Sequence, residues 1–138
     1  YYALGPLFYT MSVKTEEIIS KKKAVGVKVG DIHFDYDTFT LKAQEKEELN
    51  QLGKFLQDNP KTFVAVQGFT DNRGTPEYNM KLSRERAEAV TDYLMKNSKL
   101  DSGRVATMWY GEANPVAAND SAENRWKNRR VEIAVSGL

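Results

Sequence analysis

The chain has 138 residues, 41% apolar and 28% charged, which suffices for one domain with a real core and is too short for two comfortable ones. Twenty basic against nineteen acidic side chains leave a formal charge of +1, a near-balance that speaks against a phosphate-backbone binder and so against nucleic acid as partner. With no cysteine and a single histidine, His33, the sequence excludes thiolate catalysis, disulfides and most cysteine- or histidine-based metal sites, and it implies no cofactor.

Residues 1–24 differ from the rest. The apolar start Tyr1–Met11 is short, holds Gly5 and Pro6 and lacks a basic stretch, so it does not read as a signal peptide. A polar segment follows, ending in Lys21-Lys22-Lys23, in which Ser12 or Thr15 can cap a short helix. No apolar run approaches the roughly 20 residues that span a bilayer. We therefore expect an N-terminal extension or linker over 1–24 and one domain over 25–138, with membrane contact only through parts not in this chain.

From Val25 the pattern becomes regular. Val25, Val27 and Val29, then Ile32, Phe34 and Tyr36, alternate as a strand interrupted at Gly30-Asp31. A turn at Asp37-Thr38 leads to a helix over about 42–58, with Leu49, Leu52, Phe55 and Leu56 on one face, and Asn59-Pro60 ends it. Residues 62–68 (TFVAVQG) read as a strand apolar on both faces, hence central. After a polar loop a longer helix is predicted over about 77–96, with Tyr78, Leu82, Ala89, Val90, Tyr93 and Leu94 as its apolar surface. A strand over 105–110, a long loop over 111–124 and a last strand over 131–135 complete the chain. The order β-α-β-α-β-β predicts an α/β (α+β) two-layer sandwich, with two main helices on one face of a mixed four-stranded sheet.

The chemistry concentrates in residues 68–90 (GFTDNRGTPEYNMKLSRERAEAV). Asp71 stands just past a strand end, where open α/β sheets present ligands. Asn79 and Arg86 lie seven positions apart on the helix, about two turns, and share a direction, with Ser83 between them. A carboxylate, an amide and a guanidinium on one groove suit a zwitterion: Asp71 takes an ammonium, Arg86 a carboxylate. The alternative is an Asp71–Arg86 ion pair that merely pins the loop to its helix. Residues 124–130 (NRWKNRR) read as a solvated strand entry before a nucleic-acid patch, and Asp35 and Asp37 as turn-capping carboxylates.

Phe34-Asp35-Tyr36-Asp37, Gly68-Phe69-Thr70-Asp71-Asn72-Arg73-Gly74, Tyr78-Asn79, Leu82-Ser83, Arg86-Ala87 and Asn128-Arg129-Arg130-Val131 stand in an order that resembles the OmpA/MotB C-terminal domain family. The likeness runs from about Val25 to Val135, and Gly111 with Asn114-Pro115 resembles a further loop of that family. It implies a β-α-β-α-β-β sandwich that binds peptidoglycan through the diaminopimelate of the stem peptide. It also implies Asp71 and Arg86 as the pair that clasps this amino acid, with Asn79, Thr70, Arg129 and Asp37 around it. Phe69 stands where many members carry histidine, so any role of that histidine is absent here.

The resemblance makes the expected function non-catalytic anchoring of an outer-membrane or periplasmic protein to the cell wall, on the periplasmic side of the envelope. The alternative is a stator-type wall anchor of a motor complex, which needs a membrane helix with an intramembrane acid. An enzyme is disfavoured: Ser83 is the sole hydroxyl expected in the groove, His33 is distant, and Lys81 points elsewhere. A homodimer stays open.

Overall fold

The computed structural model describes residues 27–137. The expected extension over 1–24, its capped helix and Val25 lie outside the described residues. Strand β1 (Val27–His33) leads to helix α1 (Ala43–Asp58), strand β2 (Phe63–Gly68) and helix α2 (Pro76–Ser98). A 3-10 turn (Ser102–Arg104) precedes strand β3 (Val105–Trp109), then come helix α3 (Ala122–Asn128) and strand β4 (Arg130–Ser136).

The sheet order is β1-β4-β2-β3. β2 and β3 are parallel and joined by α2, whereas β4 runs antiparallel to both β1 and β2 and lies between them. The sheet is therefore mixed, and β2 is internal as its two apolar faces require. Val64, Val66, Val131, Ile133 and Val135 point to the helix layer, where they meet Leu49 and Leu56 of α1 and Ala87, Val90 and Leu94 of α2. Ala65 points the other way and packs with Phe69, Ala106, Met108 and Tyr110 in a smaller cluster.

Local chemistry sets the ends. Thr75 Oγ1 accepts from the N–H of Tyr78, and Pro76 opens α2, where a missing N–H does no harm. Ser121 Oγ accepts from the N–H of Asn124 and starts α3. Sequence periodicity merges that seven-residue helix into a loop and strand entry, because about two turns carry no measurable apolar period. In β1 the break expected at Gly30-Asp31 is a bulge one residue earlier: Lys28 pairs with Ala134 and Gly30 with Ile133, leaving Val29 unpaired.

The buried face of α2 is rotated from its expected apolar surface. Tyr78 is exposed and Ala89 half-buried, while Asn79, Ser83, Arg86, Ala87 and Thr91 are buried. Polar residues thus occupy the N-terminal half of the helix's inner face, and this is what positions the site.

Gly68, at the end of β2, runs directly against α2: a Cβ there would lie 2.1 Å from the carbonyl oxygen of Ser83, a backbone atom that cannot swing away. Gly68→Ala is expected to cost about 3 kcal/mol in urea denaturation, as overpacking a tight contact does. Gly30→Ala meets nothing within 4 Å and should change stability by no more than about 0.5 kcal/mol. Equal effects at the two glycines would refute the close approach.

Candidate functional site

The strand-to-helix connection after Gly68 is tied down from three sides. The N–H of Phe69 donates to Arg130 O, that of Thr70 to Gly111 O, and Thr70 Oγ1 to Asp71 O. Asp71 is buried, with Oδ1 accepting from the N–H of Arg73 at 2.9 Å and Oδ2 from Arg129 Nη1 at 3.2 Å. Its ion-pair partner is therefore Arg129, neither a solvent cation nor Arg86. Gly74 allows the loop to turn at φ +93 into α2, a conformation side chains rarely adopt.

Arg86 is 0% exposed. Its Nε donates to Thr38 O at 2.8 Å, Nη1 to Phe69 O at 3.2 Å and Nη2 to Asp35 O at 3.2 Å. A guanidinium has five N–H groups; with three so engaged, one remains on each terminal nitrogen. The expected open fork on a groove is thus corrected: Arg86 is a strut between the 35–38 turn and the end of β2, made so by the inward rotation of its helix face. Desolvation, then the neighbouring charge of Arg129, lowers its pKa to about 10, and Asp71 and Asp37 pull the other way. It remains cationic at neutral pH.

One small cavity, about 70 Å³, is lined by Asp37, Asp71, Asn79, Arg86 and Arg129, together with Tyr36, Arg73, Gly74, Tyr78 and Leu82. Five of the six residues singled out from sequence therefore share a wall. Thr70 does not reach it; its side chain is spent on the loop backbone. Ser83 does not reach it either, since its Oγ donates to Met80 O and accepts from the N–H of Gly111. The hydroxyls at the cavity belong to Tyr36 and Tyr78 instead.

Asn79 Nδ2 donates to Glu112 Oε1 at 2.9 Å, which closes the cavity against the 111–114 loop. Asp37 adopts φ 56, tolerable for aspartate in a turn, and accepts a hydrogen bond from the Tyr78 hydroxyl. That bond raises the pKa of Tyr78 above its ordinary value. Asp35, in contrast, faces Lys42 at 3.1 Å, away from the cavity.

A model of the OmpA family matches residues 33–129, more than half of the chain. The chain belongs to the OmpA family. It is 43% identical over 105 residues to outer membrane porin F of Pseudomonas aeruginosa, covering 76% of this chain and 30% of that protein. It is 36% identical over 146 residues to the probable lipoprotein YiaD of Escherichia coli, covering 97% of this chain and 66% of that one. The chain spans less than two thirds of either relative. The crystal structure of the peptidoglycan-associated lipoprotein from Burkholderia pseudomallei superposes with a TM-score of 0.73 at 30% identity, over 77% of this chain and 89% of that one. The fold is that of an OmpA-like domain, and the domain is not an enzyme.

In this OmpA-family domain residues 124–130 close α3 and enter β4, and the expected solvated strand entry holds only in part: Trp126 and Lys127 are exposed, whereas Asn128 and Arg130 are buried. Asn128 is buried and holds the preceding loop: its Oδ1 accepts from the N–H groups of Val116 and Ala117, and its Nδ2 donates to Ala117 O and Asn119 Oδ1. Arg130 is buried too, with its guanidinium 3.9 Å from the centroid of the Phe69 ring and donating to Glu132, Asn128 O and Asn114 O. Phe69 also stacks on Tyr110 at 5.3 Å, so an aromatic here serves packing. Arg129 alone of the three turns to the cavity, with its Nε anchored on Phe34 O.

Tyr36, Arg73 and Tyr78 were missed as lining residues. Helical spacing places Tyr78 on the apolar surface and alternation places Tyr36 in a strand, whereas both line the cavity. Their one available signal was adjacency to Asp37 and to the glycine turn.

The strut makes a direct prediction. Arg86→Met leaves the carbonyls of Asp35, Thr38 and Phe69 without their donor and should lower stability by about 3 kcal/mol or more in denaturant unfolding. Arg86→Lys should recover less than half of this, because a point-like ammonium cannot address three carbonyls in a plane. A loss under about 1 kcal/mol for Arg86→Met would remove the strut role.

Proposed function

We propose that this domain binds peptidoglycan non-covalently through the diaminopimelate of the stem peptide and so anchors an outer-membrane or periplasmic protein to the cell wall. The observation that carries this reading is the meeting of both signs of charge in one small cavity: Asp37 and Asp71 with Arg73, Arg86 and Arg129. About 70 Å³ admits the head of an amino acid and not a whole peptide. Diaminopimelate supplies such a head at the end of its side chain, an ammonium and a carboxylate on one carbon, whereas lysine ends in the ammonium alone.

The ammonium goes to Asp71, whose carboxylate has capacity beyond its two present bonds. The carboxylate faces Arg129 and the two remaining N–H groups of Arg86, with Asn79 and Thr70 holding the loop walls and Asp37 the mouth. Because the charges are fixed by backbone bonds before any ligand arrives, little ordering is left to be done on binding. Relatives named as a peptidoglycan-associated lipoprotein and a peptidoglycan-binding protein support the same ligand.

A stator-type anchor would use the same wall contact. It needs a membrane-crossing helix, and no helix among the described residues is long and apolar enough to be one.

Titration of the protein with a diaminopimelate-containing stem peptide should give saturable binding, and a lysine-containing stem should bind at least tenfold more weakly. Asp71→Asn keeps an acceptor for the N–H of Arg73 and removes the charge. It should cost about 2–5 kcal/mol of affinity, the penalty for leaving a buried ligand charge unpaired, with the circular dichroism spectrum unchanged. Equal affinity for the two stems, or full binding by Asp71→Asn, would overturn the assignment.

A further inference from the structure

Three arginines line the cavity, and one of them differs from the other two. Arg86 and Arg129 are held inside by backbone carbonyls and, for Arg129, by Asp71. Arg73 is exposed, and its guanidinium makes no ion pair among the described residues. Its guanidinium carbon lies 5.1 Å from the centroid of the Tyr36 ring. Its backbone N–H donates to Asp71 Oδ1, so the residue is fixed to the cavity wall while its charge stands at the mouth.

The nearby acids are already engaged. Asp71 is bound by Arg129, Asp37 accepts from Tyr78, and Asp35 faces Lys42. Three cations against two carboxylates leave the lining with one positive charge in excess, located at the solvent edge. The seat for that charge is itself exposed: Tyr36 is 55% and Tyr78 45% accessible. A planar cation resting on an aromatic face loses less freedom on capturing a partner than a free side chain does. Its fork matches a carboxylate in geometry.

We propose that Arg73, seated on Tyr36, forms a second anion-binding position at the cavity mouth, taking a carboxylate of the ligand other than the one that enters the cavity. This rests on the wall-peptide reading above and specifies which form of the peptide is preferred. In a stem peptide the glutamate preceding diaminopimelate is linked through its side-chain carboxyl, so its α-carboxylate is free and lies beside the residue whose head is bound. Amidation of that group abolishes the charge and leaves the rest of the peptide unchanged. The domain thereby distinguishes free-acid from amidated stems.

The test compares two tripeptides, alanyl-γ-glutamyl-diaminopimelate with its glutamate α-carboxylate free and the same compound as the α-amide, titrated into the protein at low ionic strength. The unaltered protein should prefer the acid by about fivefold to tenfold, as a partly exposed charge-assisted contact supplies, and the preference should shrink as salt is raised. Arg73→Gln should bind both forms alike, with the affinity the unaltered protein has for the amide. Absence of preference in the unaltered protein, a preference that survives Arg73→Gln, or equal weakening of both forms by that substitution would each overturn the proposal. Failure of both tripeptides to bind at all is a different outcome, and it removes the wall-peptide reading together with this one.

Discussion

A guanidinium taken wholly out of water at Arg86 is the constraint on which the site depends. Desolvating such a charge costs several kcal/mol, and the cost is met only where donors find acceptors in the right plane. Here the acceptors are main-chain carbonyls of Asp35, Thr38 and Phe69, two from the turn after β1 and one from the end of β2. These segments are separated by more than thirty positions of sequence and by the whole of α1. One side chain from α2 fixes their spacing, and the cavity is the gap it leaves.

The remaining charges follow from that placement. With Arg86 committed to carbonyls, Asp71 takes Arg129 as its partner, and Arg129 is in turn held by Phe34 O. Arg86 and Arg129 repel, which is part of why the pKa of Arg86 falls, and Asp71 offsets that repulsion. The cluster is thus held at a net positive balance by backbone bonds, and an incoming anion meets donors already oriented. The same economy of buried polar groups recurs behind it, where Asn128 and Arg130 satisfy the loop before β4 and Phe69 packs against both the Arg130 cation and Tyr110. The chain turns three successive residues of one basic segment to three separate tasks.

Much of this was legible beforehand. The strand and helix boundaries around α1, β2 and α2 were close, because Leu49, Leu52 and Leu56 recur at helical spacing and residues 63–68 are apolar on both faces. Five of six candidate site residues, Asp37, Asp71, Asn79, Arg86 and Arg129, line one cavity, since a strand end and a spacing of about two helical turns constrain direction. Thr70 and Ser83 departed from expectation for one reason: small hydroxyls beside a turn find a backbone partner first. Tyr78, core by its spacing, is exposed in the fold, because aromatic spacing on a helix does not reveal which way the helix is rolled.

What the linear order determined was the set of elements and the types of group available at their ends, because periodicity, capping and glycine turns act over a few residues. What only the folded arrangement decided was pairing: that β4 inserts between β1 and β2, that Arg129 and not Arg86 holds Asp71, and that Arg86 is enclosed. Partner choice among like charges depends on distances across segments far apart in the chain. Those distances exist only once the sheet has closed and α2 has rolled its polar face inward.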